Sequence, residues 1–162
     1  MDKLPAYCRT KILIAGCGNI LFGDDGFGPE VIEYLKNHYR IPENIFLADA
    51  GTGIRKILFT ITLSDVRPEV IVVIDAVDKG REPGEIFEIS LEEIPKEKVD
   101  DFSMHQVPSS NLLKELRDLC SVDIRVMACQ IQFIPEAMKS GLSEPVAKAV
   151  PKLAQKIADE FF

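Results

Sequence analysis

At 162 residues, with 46% hydrophobic and 28% charged side chains, the chain suits one domain, spanning residues 1–162, with a single core of ordinary globular composition. Its net charge of −7, with no run of lysine or arginine, argues against nucleic acid as a partner, because phosphate binding needs a basic footprint. The longest apolar runs are too short to span a bilayer and "MDKLPAYCRTK" lacks an apolar signal core, so the expectation is a cytoplasmic protein with no membrane insertion.

In chain order, "KILIAGCGN" reads as a buried first strand from Lys11 to about Ala15. From Gly26, the apolar positions Phe27, Val31, Ile32 and Leu35 recur at helical spacing and predict a helix ending near Asn37 to Arg40. "NIFLADAGTG" predicts a second strand entering a glycine-rich loop, and "GIRKILFTITLSD" a second helix. "EVIVVIDAV" is apolar at successive positions, the pattern of a strand covered on both faces.

After the turn "DKGREPG", the alternation of "EIFEIS" fits an edge or antiparallel strand, and "SLEE" matches a capping box. "PKEKVDDFSMHQVP" shows no periodicity and reads as a loop, while Pro108 and Ser109 introduce the helix "SSNLLKELRDLC". "DIRVMACQIQF" predicts a last strand, and "LSEPVAKAVPKLAQKIADEFF" a C-terminal helix with Ser143 as its N-cap. Strands alternating with helices imply an α/β three-layer sandwich: a mainly parallel twisted sheet of about five strands with helices on both faces.

Ligands of such a sheet collect at the carboxyl ends of its strands. Three loops there carry useful chemistry: Asn19, Asp24 and Asp25 after the first strand; Asp49, Gly51, Thr52 and Gly53 after the second; Asp75 and Asp78 after the most apolar one. Gly16 and Gly18 suggest a dinucleotide fingerprint, but Leu21 stands where its third glycine belongs, and paired carboxylates would repel a pyrophosphate. One aspartate of the Asp24–Asp25 pair is accounted for as a helix cap; the second gains less there and is open to a ligand role. Asp75 either bonds nearby loop amides or faces a cation, since an unpaired buried carboxylate is costly.

His105, in "DFSMHQVP", is either an ordinary loop residue or a ligand. His38, in the charged "YLKNHYR", has little claim to chemistry. Two carboxylates and one imidazole would make an open three-ligand site for a borderline divalent ion. Among Cys8, Cys17, Cys120 and Cys129 there is no C-x-x-C pair, which disfavours a zinc knuckle or redox motif, and Cys17 and Cys129 read as core residues.

Taken together, "GCGNILFGDDGFGPEVIEYL", "DAGTG", "VIVVIDAV" and "SMHQVP", with the later "FIPE" and "GLSEPV", resemble the NiFe-hydrogenase maturation endopeptidases over nearly the whole chain. The paired aspartates of "DDGFGP" look most like the methanogen branch, which processes a deazaflavin-reducing hydrogenase. The resemblance implies an endopeptidase that removes the C-terminal extension of a nickel-loaded hydrogenase large-subunit precursor. It also implies that Asp25, Asp75 and His105 form the metal and catalytic site, with the nickel supplied by the precursor. Many members carry glutamate where this chain has Asp25, so the carboxylate reach shortens here by about 1.5 Å. Asn19, Gly51 and Thr52 are candidates for orienting the substrate backbone. A non-catalytic nickel-sensing chaperone with the same site is the alternative reading, and a nucleotide-binding oxidoreductase comes third.

Overall fold

The computed structural model describes residues 3–93 and 109–162. A short helix α1 (Ala6–Arg9) precedes strand β1 (Ile12–Cys17), helix α2 (Phe27–His38), strand β2 (Ile45–Gly51) and helix α3 (Ile54–Leu63). Strands β3 (Val70–Val77) and β4 (Ile86–Ile89), helix α4 (Ser109–Cys120), strand β5 (Asp123–Gln130) and helix α5 (Glu144–Phe161) follow.

The five strands form one sheet in the order β2-β1-β3-β5-β4. Neighbours are parallel except β4, which runs antiparallel to β5 at the edge. The alternating "EIFEIS" therefore lies where an antiparallel edge strand is expected. Seven of the eight residues of β3 are buried, which is why it reads as an unbroken apolar run between two covered faces.

Side-chain alternation divides the core into two clusters. Ile12 and Ile14 of β1 and Val72 and Ile74 of β3 pack with Phe27, Val31, Ile32 and Leu35 of α2 and Val146, Val150, Leu153 and Ile157 of α5. On the opposite face, Leu13, Ala15, Cys17, Ile71 and Val73 pack with Ile54, Leu58 and Ile61 of α3 and Leu113 and Leu116 of α4. The result is the expected three-layer α/β sandwich.

Strand β1 continues to Cys17, two residues past the predicted end, because Gly16 and Cys17 still pair with β2. Gly16 also permits a close approach: a Cβ there would lie 2.3 Å from the Gly28 carbonyl oxygen. That contact presses the first turn of α2 onto the carboxyl end of β1. "SLEE" forms its capping box on the 3-10 turn Leu91–Glu93, with Ser90 N–H donating to Glu93 Oε1 (3.3 Å) and Glu92 N–H to Ser90 Oγ (3.3 Å).

Ser143 takes the N-cap position of α5, but its side chain makes no capping bond to that helix. Its hydroxyl donates instead to Asp24 Oδ2 at 2.9 Å, so the expected cap is replaced by a tertiary contact. The loop containing His105 lies outside the described residues, as does residue 108 before α4.

Candidate functional site at the carboxyl edge of the sheet

Strand order reverses at β1: the chain passes from β1 through α2 to β2 on one side, then crosses to β3 on the other. Such a reversal opens a crevice at the carboxyl ends of the strands. The loop leaving β1, which carries Asp25, and the carboxyl end of β3, which carries Asp75, flank it.

Beyond β1, Gly18 has φ +128°, and a Cβ there would fall 1.8 Å from the Asp25 carbonyl oxygen. Only glycine lets the loop fold this tightly. The fold of the loop then aims the Asn19 amide at Asp25, donating to Oδ2 at 2.9 Å. Asn19 Oδ1 accepts the Leu21 amide at 2.9 Å and closes the turn.

Asp75 is completely buried. It follows Ile74 on β3, and so faces the same side of the sheet as Val73, Val77 and Cys17. Its Oδ1 accepts the amide of Ala76, the next residue of β3, at 2.9 Å. Burial, then the charges of Asp75, Asp25 and Asp49, hold the Cys17 thiol well above its ordinary range. Cys17 ends β1, Asp75 lies on the neighbouring β3, and Asp25 lies on the loop that leaves β1.

The two adjacent aspartates have separate tasks, and neither is the expected helix cap. Gly26 occupies the N-cap of α2, with no side-chain capping bond. Asp24, buried like a core residue, accepts the amides of Gln132 (2.8 Å), Phe133 (3.3 Å) and Ser143 (2.7 Å) besides the Ser143 hydroxyl. It fastens the β5–α5 connection to the loop carrying Asp25.

A cavity of about 270 Å³ beside this loop is lined by Gly18, Asn19, Ile20, Asp49, Gly51 and Thr52, together with Pro29. It brings together Asn19, Gly51 and Thr52, the residues proposed from sequence to orient a backbone. Gly51 adopts φ +53°, and its carbonyl accepts the Gly18 amide at 2.9 Å. His38, by contrast, stacks on Tyr34 at a centroid distance of 3.9 Å on α2 and takes no part in the crevice. His105 lies outside the described residues, and among the described residues no group of three His, Cys, Asp or Glu side chains is arranged to hold a metal ion.

Sequence reasoning passed over Gln130, which is buried at the end of β5. Its Oε1 accepts the amides of Lys79 (2.7 Å) and Arg81 (3.1 Å), while Nε2 donates to Asp78 Oδ1 (3.0 Å) and the Ile131 carbonyl (3.0 Å). This one amide holds the turn that follows Asp75. The available signal was a glutamine inside the apolar run "VMACQIQF".

The model of the hydrogenase maturation protease family matches residues 29–160. The chain belongs to that family. It is 42% identical to a Methanocaldococcus jannaschii protein named as a hydrogenase maturation protease, over 94% of this chain and 97% of that one. It is 38% identical to the coenzyme F420 hydrogenase subunit delta of Methanothermobacter thermautotrophicus, over 93% and 94%. Its fold is similar to that of the [NiFe] hydrogenase maturation protease HycI from Thermococcus kodakarensis, with TM-score 0.74, 27% identity and coverage of 93% and 91%. The HybD protease of the same organism aligns with TM-score 0.63, 29% identity and coverage of 93% and 98%. As a family member, the chain is a hydrolase, an endopeptidase of hydrogenase maturation. No helix among the described residues is long and apolar enough to cross a membrane.

Proposed function

We propose that this endopeptidase acts in the cytoplasm on the nickel-loaded large-subunit precursor of an NiFe hydrogenase, removing its C-terminal extension. The similarity to a coenzyme F420 hydrogenase subunit delta supports a deazaflavin-reducing hydrogenase as the partner. The observation that supports this reading is topological: Asp25, on the loop after β1, and Asp75, near the carboxyl end of the adjacent β3, border the same end of the sheet. Carboxylate oxygens there suit a divalent ion far better than an anionic cofactor.

In this proposal nickel belongs to the substrate. Asp25 and Asp75, with His105 as the third donor, contact the ion while the precursor keeps its own ligands. The Asn19 amide holds Asp25 Oδ2 in place, so the carboxylate is oriented before the substrate arrives. A complete set of contacts forms only with a loaded precursor, which makes metal insertion a condition for cleavage. Asn19, Gly51 and Thr52, along the adjoining cavity, align the scissile segment by hydrogen bonds to its backbone.

The test is incubation of the protein with nickel-loaded and nickel-free precursor, followed by intact-mass measurement. One loss of a C-terminal fragment, confined to the loaded precursor, is the expected result. Binding without any change in mass would make the chain a nickel-sensing chaperone instead.

A further inference from the structure

The connection between β5 and α5, "QFIPEAMKSGLS", contributes almost nothing to the core. Phe133 is 56% exposed, Ile134 43% and Met138 68%. A segment whose only core contact is made by Leu142 should be poorly ordered, yet this one is tied down at several points. Asp24 holds the amides of Gln132, Phe133 and Ser143. Phe22 bridges Lys139 in parallel, with Gly23 N–H donating to the Lys139 carbonyl and Lys139 N–H to the Leu21 carbonyl, both at 2.8 Å.

The fastening brings a second pair of exposed apolar residues alongside, Ile20 at 51% and Leu21 at 44%. Five of the nine exposed large apolar side chains among the described residues thus lie on two segments bonded to each other. Between these segments is a cavity of about 250 Å³, lined in part by Gly23, Phe133, Pro135 and Leu142. Ile20 also lines the 270 Å³ cavity of the crevice, so the loop to which the connection is fastened also borders the candidate site. In a protein of net charge −7, Glu136 and Lys139 balance each other on the connection. Its surface therefore favours an uncharged occupant over a cationic one.

From this geometry we propose that Ile20, Leu21, Phe133, Ile134 and Met138 form a docking surface for an apolar segment of the large-subunit precursor next to the cleaved bond. The inference rests on the function proposed above. A buried carboxylate spent on rigidifying an exposed apolar loop is preorganisation: the loop is ordered before the partner arrives. The same carboxylate sits next to Asp25, so docking on this surface sets the precursor in register with the crevice. Exposed apolar patches of this kind mark protein contact sites.

The test compares the wild-type chain with the double variant Phe133→Ser/Met138→Ser, both fold-checked by thermal melting. The probe is the large-subunit precursor of an F420-reducing hydrogenase with its extension intact. Calorimetry with nickel-free precursor should show affinity falling about tenfold or more in the double variant. With nickel-loaded precursor, KM should rise about as much while kcat stays within about twofold. The control Phe59→Ser/Leu119→Ser, on α3 and α4, should change neither.

A fall in affinity supports the docking surface even if no cleavage occurs, in which case only the proposed function fails. Unchanged affinity in the double variant, an equal loss in the control, or no precursor binding by the wild type overturns the docking surface. Cleavage by the wild type would leave the proposed function standing in each of those cases. A wild-type dimer that the double variant dissociates, with precursor affinity unchanged, would make this a self-interface and also overturn it.

Discussion

Asp24 and Asp25 are adjacent and chemically identical, yet the fold separates them completely. Asp24 is an internal fastening whose partners stand more than a hundred residues downstream, with sequence separations of 108, 109 and 119. No local pattern reveals such partners, which is why a helix cap was the natural reading. Its burial among donor groups gives a sharp expectation. Asp24→Ala removes the acceptor from three amides and a hydroxyl, and donors left unpaired cost about 1–3 kcal/mol each. Relaxation and water entry recover part of that, so the variant should lose ~3 kcal/mol or more in a urea titration. Asp25→Ala should keep nearly the wild-type melting temperature and lose precursor cleavage. Equal stability losses in the two variants would contradict the division of roles. The cysteines offer a second contrast. Burial raises the thiols of Cys8 and Cys17, and Cys129 is pushed up to about 12. All three are buried, whereas Cys120 is partly exposed. At pH 8, iodoacetamide should label the native protein at Cys120 alone, as peptide mapping would show, with the other three reacting only after unfolding. Here the sequence was informative, because Cys17 and Cys129 stand near the ends of apolar strand runs.

Elements were legible wherever burial imposes a period. Helix α2 shows its buried stripe at Phe27, Val31, Ile32 and Leu35, and β3 shows two covered faces. Where no period exists, as in the run that ends before α4, sequence reading offered only a loop. Contacts between elements were not legible at all. Arg125 of β5 reaches Glu88 of β4 with two bonds of 2.8 Å and also pairs with Glu160 of α5. It thereby ties an edge strand to the last helix. The Arg125 guanidinium holds the Glu88 carboxyl below its ordinary value of 4.5. A carboxyl depressed in the folded state stabilises the protein above the unfolded value and loses that contribution as pH falls through the folded one. Glu88→Gln should therefore lower the melting temperature at pH 7 and match wild type progressively as pH falls below about 4.5. Both partners are partly exposed, so solvent screening keeps the neutral-pH difference to ~1 kcal/mol or less. A difference that persisted at pH 3 would indicate lost packing rather than lost charge.

At the scale of the whole molecule, one topological fact organises the site: the reversal of strand order beside β1. It brings the loop after β1, with Asp25, beside the carboxyl end of β3, with Asp75, fifty residues farther along the chain. Sequence reading could anticipate this, because alternating strands and helices restrict where a parallel sheet binds. It could not reveal that the apolar β5–α5 connection adjoins the same crevice. The site's composition then bears on how the free chain meets metal. On the function proposed above, Asp25, Asp75 and His105 would give a weak, incomplete set of donors for a borderline ion, and precursor ligands would complete it. The purified chain, dialysed against a chelator, should retain well under about one metal per protein by elemental analysis. Nickel added to the free chain should bind weakly by calorimetry, and tighten when the precursor is present. Asp75→Asn should remove that tightening, because it withdraws a buried carboxylate charge while nearly preserving side-chain volume. His105→Ala should do the same if the third donor comes from that loop. A stoichiometric, chelator-resistant ion in the free chain would instead mean that this endopeptidase carries its own metal, and the dependence of cleavage on precursor loading would need another cause.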